Sequence, residues 1–203
     1  MGVAAAKHNQ FLKLAAPMKL LLTIFLSLAA AAQAQVDFHA YPGTEDLIEG
    51  GRIEKLTVVS SNLQFNVRPP AGWSRQVDEA SRKIIFTSQS GKSAVIVQFT
   101  TNSPGTLPER DILKAQAQQA HPGSGVVQCA VAPTSYKPGV FVDLACVPAP
   151  HVVQRIRHAF VAHPVGEVEF ILSSSEDEFD KTRLVIMAML RAFRVDPIKS
   201  KLP

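Results

Sequence analysis

Apolar and polar positions alternate with period two through much of the second half of the chain. Val127, Cys129 and Val131 share one side of the stretch from Val126 to Ala132. Val142, Leu144 and Cys146 share one side of the stretch from Val140 to Val147, with Asp143 opposite. From Val153 to His163, Ile156, His158, Phe160 and Ala162 fall together, opposite Arg155 and Arg157. From Glu167 to Ser173, Val168, Phe170 and Leu172 fall together, opposite Glu167 and Glu169. One apolar face per stretch predicts half-buried antiparallel strands. The short connections Tyr136-Lys137-Pro138-Gly139, Pro148-Ala149-Pro150 and Pro164-Val165-Gly166 carry turn residues and predict hairpins. A three-residue loop ending in Gly166 pairs His163 with Glu167. That register sets Ile156 and Phe160 beside Val168 and Phe170, and it leaves Arg155, Arg157, Glu167 and Glu169 on a solvated face.

The period then changes to helical. Phe179, Ile186, Leu190 and Phe193 repeat at helix spacing, and Val185, Met187 and Met189 widen the apolar stripe. Ser175 with Glu178 reads as a capping box, acids crowd the first turn, and Arg191 and Arg194 lie near the far end. Asp196-Pro197 is the expected stop. Earlier in the chain, short strands are expected at Leu56–Val59 and Leu63–Val67. A hairpin is expected from Ile84–Ser88 and Ala94–Phe99 around Gln89-Ser90-Gly91-Lys92. Thr106 with Glu109 reads as a second capping box, opening a helix that runs to about Ala120 with Leu107, Ile112, Leu113 and Ala117 on its thin apolar side. These elements make an α+β fold, an antiparallel sheet with helices packed on it.

The first 34 residues stand outside that pattern. Lys19 precedes an apolar run from Leu20 to Ala32, and Ala32-Gln33-Ala34 is a small-x-small cleavage site, so residues 1–34 read as a signal peptide. Met18 is a plausible start within it. Residues 35–55 then form an N-terminal lead, 56–196 a single domain and 197–203 a tail. The expected location is periplasmic or secreted, with no stable membrane insertion after cleavage. Removing the leader takes three lysines and no acids, which lowers the net charge from +4 to +1 and leaves no basic patch for nucleic acid.

Export also bears on the two cysteines, Cys129 and Cys146, the only ones in the chain. A disulfide between them suits an oxidising compartment. Directly opposite cysteines centre the hairpin turn between Lys137 and Pro138. A turn on Pro138-Gly139 is better type II chemistry, but it makes the cysteines diagonal neighbours near or beyond the ~7 Å bridging limit. The disulfide is the favoured reading, with an irregular loop from Pro133 to Gly139 absorbing the mismatch. Trp73, the one tryptophan, reads as a structural anchor where the chain turns after its first strands, set against the alternative of a surface binding residue.

The strand Leu63–Val67, the run Pro69-Pro70-Ala71-Gly72-Trp73, then hairpin, helix, meander and a closing helix ending Phe193-Arg194-Val195 make an order that resembles the PsbP-like superfamily (Mog/PsbP/DcrB-like) over about Leu56 to Val195. The resemblance implies an α/β/α sandwich around an antiparallel sheet and a non-enzymatic binding or assembly role, as most members of the superfamily have. It transfers no metal or partner residues.

No catalytic, cofactor-binding or metal-binding motif is present: no Gly-rich phosphate loop, no Cys-x-x-Cys, no nucleophile elbow. His158 and His163 differ by an odd number on one strand and point to opposite faces. His158 reads as a hydrogen-bonded core histidine, and Asp143 as surface-facing. The chain is therefore expected to be a non-enzymatic envelope module, without a cofactor, whose partner is an envelope protein or small ligand. The alternatives are a lipid or small-molecule carrier with a pocket between sheet and helix, and a hydrolase joining His158 or His151 to Asp143 and a serine.

Overall fold

Strand and helix follow the two periodicities, but the pairing differs from the one the pattern suggests. The computed structural model describes residues 37–101, 105–149 and 152–198; the signal peptide expected at 1–34, His151 and most of the tail lie outside them. Among the described residues, β1 (Phe38–Asp46), β2 (Arg52–Ser60), β3 (Leu63–Val67) and β11 (Arg194–Pro197) form a four-stranded antiparallel sheet in that order. A seven-stranded antiparallel sheet follows the order β4 (Ser74–Asp78), β5 (Lys83–Thr87), β6 (Ser93–Thr101), β10 (Gly166–Ser175), β9 (Val152–His163), β8 (Gly139–Ala149), β7 (Gly125–Ala132). Helix α1 spans Arg110–Ala120 and α2 spans Glu176–Ala192. The expected α+β class holds, with two sheets where one was expected. The N-terminal lead contributes β1 and the start of β2, and Phe38 is fully buried in the main core.

Two apolar clusters divide the interior. The larger joins Leu56, Val58 and Phe65 of the small sheet to Val95, Val97, Phe99, Val168, Phe170 and Leu172, and to Phe179, Ile186, Met189 and Leu190 of α2. Phe65 meets Phe99 edge-on at 5.1 Å. The smaller joins Leu113 and Ala117 of α1 to Val142, Leu144, Ile156 and Phe160. Alternate residues of β9 thus serve different clusters: Ala159 and Val161 the first, Ile156 and Phe160 the second. Every residue from Ile156 to His163 is buried.

This double burial is why the expected β9–β10 register is wrong. Gly166 pairs with His163 and Glu167 with Ala162, so the loop is Pro164-Val165 alone. Phe160 then lies opposite Glu169, and Ala159 opposite Phe170. The glycine is used for close approach, not for positive φ: a Cβ on Gly166 would collide with the Thr100 carbonyl of β6. The four charges do not share a face either. Arg155 and Arg157 turn towards Phe179 of α2, while Glu169 meets His158 on the other side.

The helix ends also depart from expectation. Ser175 is the N-cap of α2 but makes no side-chain cap hydrogen bond. Its N–H donates to the Lys92 carbonyl at 3.3 Å, because the chain is still paired as strand there. Glu178 is drawn instead to the β5–β6 hairpin, accepting from Ser93 at 2.9 Å and Ser90 at 3.1 Å. Helix α1 starts three residues after the proposed Thr106 box, with Glu109 as N-cap. At its far end α2 stops at Ala192, before the proline signal, because Arg194–Pro197 is recruited as a strand beside β3. Asn66 Nδ2 donates to the Asp196 carboxylate at 3.0 Å across that pair.

Candidate functional site

The sequence around the tryptophan builds an open groove. Trp73 N–H donates to the Pro70 carbonyl at 3.3 Å, closing a turn in which Gly72 holds φ +74°. That conformation favours glycine, and a Cβ there would also press on the Gln89 side chain. The turn leaves Trp73 half-buried, packed against the edge of the main core on one side. Its other side lines a groove of about 560 Å³ with Pro42, Gly43 and Thr44 of β1, Glu54 and Lys55 of β2, Pro69, and Arg75 of β4. The anchor and surface readings of Trp73 are therefore both part of the geometry. Charges of both signs rim one aromatic ring, a combination suited to gripping an extended segment.

The titratable interior is arranged differently. His158 is buried, and its Nδ1 lies 2.6 Å from Glu169 Oε1. The ring stacks on Phe160 at 6.0 Å and meets the edge of His121, at the end of α1, at 5.0 Å. Nε2 has no hydrogen-bond partner among the described residues. Burial, and then the neighbouring His158, push His121 below the ordinary histidine range, with Glu169 opposing. Burial, and then Glu169, push Glu167 up. The expectation of a hydrogen-bonded core histidine at 158 stands.

Asp143 corrects another expectation. It is not on the surface: Arg157 donates to it twice, from Nε at 2.6 Å and from an Nη at 2.7 Å, and both side chains are buried. The guanidinium lies over Phe141 at 4.2 Å. Cross-strand pairing directly opposes Asp143 to Arg157 and Val142 to His158, so Asp143 and His158 occupy opposite faces of the sheet. A hydrolase built on His158 and Asp143 is excluded by that register. Ser174, next to the Ser175 N-cap, shares a hydrogen bond with Ser93 at 2.8 Å and accepts from Thr182 at 3.1 Å, which docks α2 onto the sheet. The helix–sheet interface is filled by Phe179, Ile186, Met189 and Leu190; the groove lies elsewhere. Among the described residues no group of three metal-ligating side chains converges, and no helix is long and apolar enough to cross a membrane.

The disulfide is also corrected. Cys129 and Cys146 are free thiols, both half-buried. Cys129 lies opposite Val142, four positions from Cys146, roughly 13 Å of strand at about 3.3 Å per residue. The bridging limit is far shorter. The hairpin closes from Ala132 to Gly139 around a six-residue loop, so neither proposed turn forms. Thr134 organises that loop. Its hydroxyl accepts from the N–H groups of Tyr136 and Lys137 and donates to the Lys137 carbonyl, while Ser135 reaches the Arg191 carbonyl of α2. A Ser/Thr turn of this kind is the signal in Pro133-Thr134-Ser135 that the proline–glycine pair masked.

The described chain is thus an α+β protein of two antiparallel sheets and two helices. No family model matches it, and no curated protein does. Among solved structures, it is similar to the solution structure of the cyanobacterial PsbP, CyanoP, from Synechocystis sp. PCC 6803, at 10% identity and TM-score 0.44, over 81% of this chain and 96% of that one. It is also similar to a mutant of the protein Mog1 at 11% identity and TM-score 0.48, over 80% of this chain and 98% of that one. These likenesses concern the fold alone.

Proposed function

We propose that the chain is an exported, non-enzymatic binding or assembly module of the cell envelope, and that it grips an extended segment of an envelope protein in the Trp73 groove. The observation that carries this reading is the half-buried tryptophan lining that groove with Glu54, Lys55 and Arg75. The groove is open and rimmed by charge, which suits a peptide laid across it better than an enclosed lipid. The leader-like residues 1–34 support export. The interior pairs Asp143–Arg157 and His158–Glu169 are engaged with one another away from the groove, which supports a structural rather than catalytic use. We read the layering as the PsbP-like α/β/α sandwich; α1 and α2 joining different apolar clusters on the large sheet supports this.

Capture from the envelope fraction of the source cell, with intact mass on the exported chain, tests the proposal. The expected N-terminus lies near Gln35. A partner held by the wild type should be lost with Trp73→Ala or Arg75→Glu and kept with Leu184→Lys, a substitution at an exposed site on α2. Equal capture by all four proteins would remove the groove from consideration. A chain retaining Leu20–Ala32 in soluble form would remove export.

A further inference from the structure

Among the described residues the two sheets end in four edge strands, and three carry defences against pairing with another chain. β4 has five residues, including Arg75 and Asp78. β1 has Pro42 at its middle and Glu45 and Asp46 at its end. β11 has four residues, among them Arg194, Asp196 and Pro197. Short length, charge and proline each stop a ladder from growing.

β7 lacks all three. Its eight residues, Gly-Val-Val-Gln-Cys-Ala-Val-Ala, include no charge and no proline. Val127 and Val131 are 55% and 51% exposed. The one irregularity falls between Val126 and Gln128, and a bulge there does blunt the first residues of the edge. It leaves Gln128–Ala132 in regular register with β8. Those five residues present a straight row of backbone donors and acceptors that only another extended strand satisfies well.

We infer that a second copy of this chain docks there, β7 against β7 and antiparallel about a two-fold axis, so that the two large sheets continue into one. The occupant follows from the chemistry of the edge. β7 itself has no charge and no proline, so a second copy meets this edge with no defence on either strand. A two-fold axis at Ala130 sets Cys129 against Val131 of the second copy and Gln128 against its Ala132. No like charges meet, and the contact is isologous and closed. The net charge of +1 beyond residue 34 adds little repulsion between copies.

Sedimentation of the full chain over a concentration series tests this, read together with amide exchange in β7. The expected result is a monomer–dimer equilibrium in which the Gln128–Ala132 amides are protected only in the dimer. Val131→Lys should weaken dimerisation at least about tenfold while circular dichroism, and the melting temperature at concentrations where both proteins are monomeric, stay unchanged, because the position is exposed and the charge enters the shared ladder twice. Gln128→Lys, also at an exposed position, serves the same test if Val131→Lys does not fold. A chain that stays monomeric overturns the inference. So does a dimer insensitive to both substitutions, which places the contact elsewhere. Protection of β7 at every concentration also overturns it, since another part of the chain or a different partner would then cover the edge.

Discussion

On the face of the large sheet under α2, Asp143 and Arg157 meet through two short hydrogen bonds. On the face under α1, His158 and Glu169 meet through one. Both pairs bridge neighbouring strands, and each has at least one partner fully in the interior. The first is complete: two donors match two acceptors, and Phe141 covers the guanidinium. The second leaves Nε2 of His158 unpartnered and the edge of His121 beside it. A complete pair locks one arrangement of strands. An incomplete pair leaves a buried polar atom on that face without a partner and fixes the strands less firmly.

The largest expected effect comes from halving the complete pair. Asp143→Ala leaves a buried guanidinium without its carboxylate and should cost about 3–5 kcal/mol in chemical denaturation. Asp143→Leu combined with Arg157→Met should recover most of that loss, since apolar replacements of a buried pair are often neutral. A single-mutant cost below about 1 kcal/mol would show that the two faces do not differ as described.

His158→Phe should cost less, about 1–3 kcal/mol, because it strands one partly exposed carboxylate. Glu169→Gln retains an acceptor and should cost less again. Equal losses at Asp143 and His158 would break the distinction between complete and incomplete pairs.

Acid should act on the histidines. Burial depresses both His121 and His163, the latter packed edge-on against Phe65. The folded chain therefore binds fewer protons than the unfolded one. Stability is full above the ordinary histidine value, about 6.5, and is lost as pH falls from there towards their lower folded values. Glu167 runs the other way: its raised folded value returns part of the loss as pH drops further, towards 4.5. Melting temperature should thus fall on acidification from neutral pH. His163→Phe should flatten that slope; an unchanged slope would assign the acid response to His121 and the face under α1.

The smallest effect is expected at the rim. Arg155 meets Glu176 at 3.3 Å with the carboxylate half exposed, and Arg155→Ala should cost no more than about 1 kcal/mol by thermal melting, mostly through lost packing on Phe179.

Local chemistry made much of this legible in advance. The β5–β6 hairpin follows from alternation broken at Ser90-Gly91, and α2 from its apolar stripe and acidic first turn. His158 and His163 are separated by parity alone. The groove was half legible, since Pro69-Pro70-Ala71-Gly72-Trp73 marks a turn with an aromatic. Pro42, Glu54 and Lys55 join it only through β1 and β2, in a lead too polar to announce a hairpin.

The sequence by itself determined that β7 to β10 extend, where the last helix forms and how residues divide by parity along those strands, because these depend on neighbours in the chain. Only the tertiary structure decided which face each set joins. Period two names a buried face when the other is wet, and β9 is buried on both, so sliding it by one residue costs little in hydrophobic matching. Contacts remote in sequence settle the choice: Gly166 must approach Thr100, Ser135 must reach Arg191 of α2, and Asp143 must find Arg157. The cysteines fall four positions out of step as a consequence.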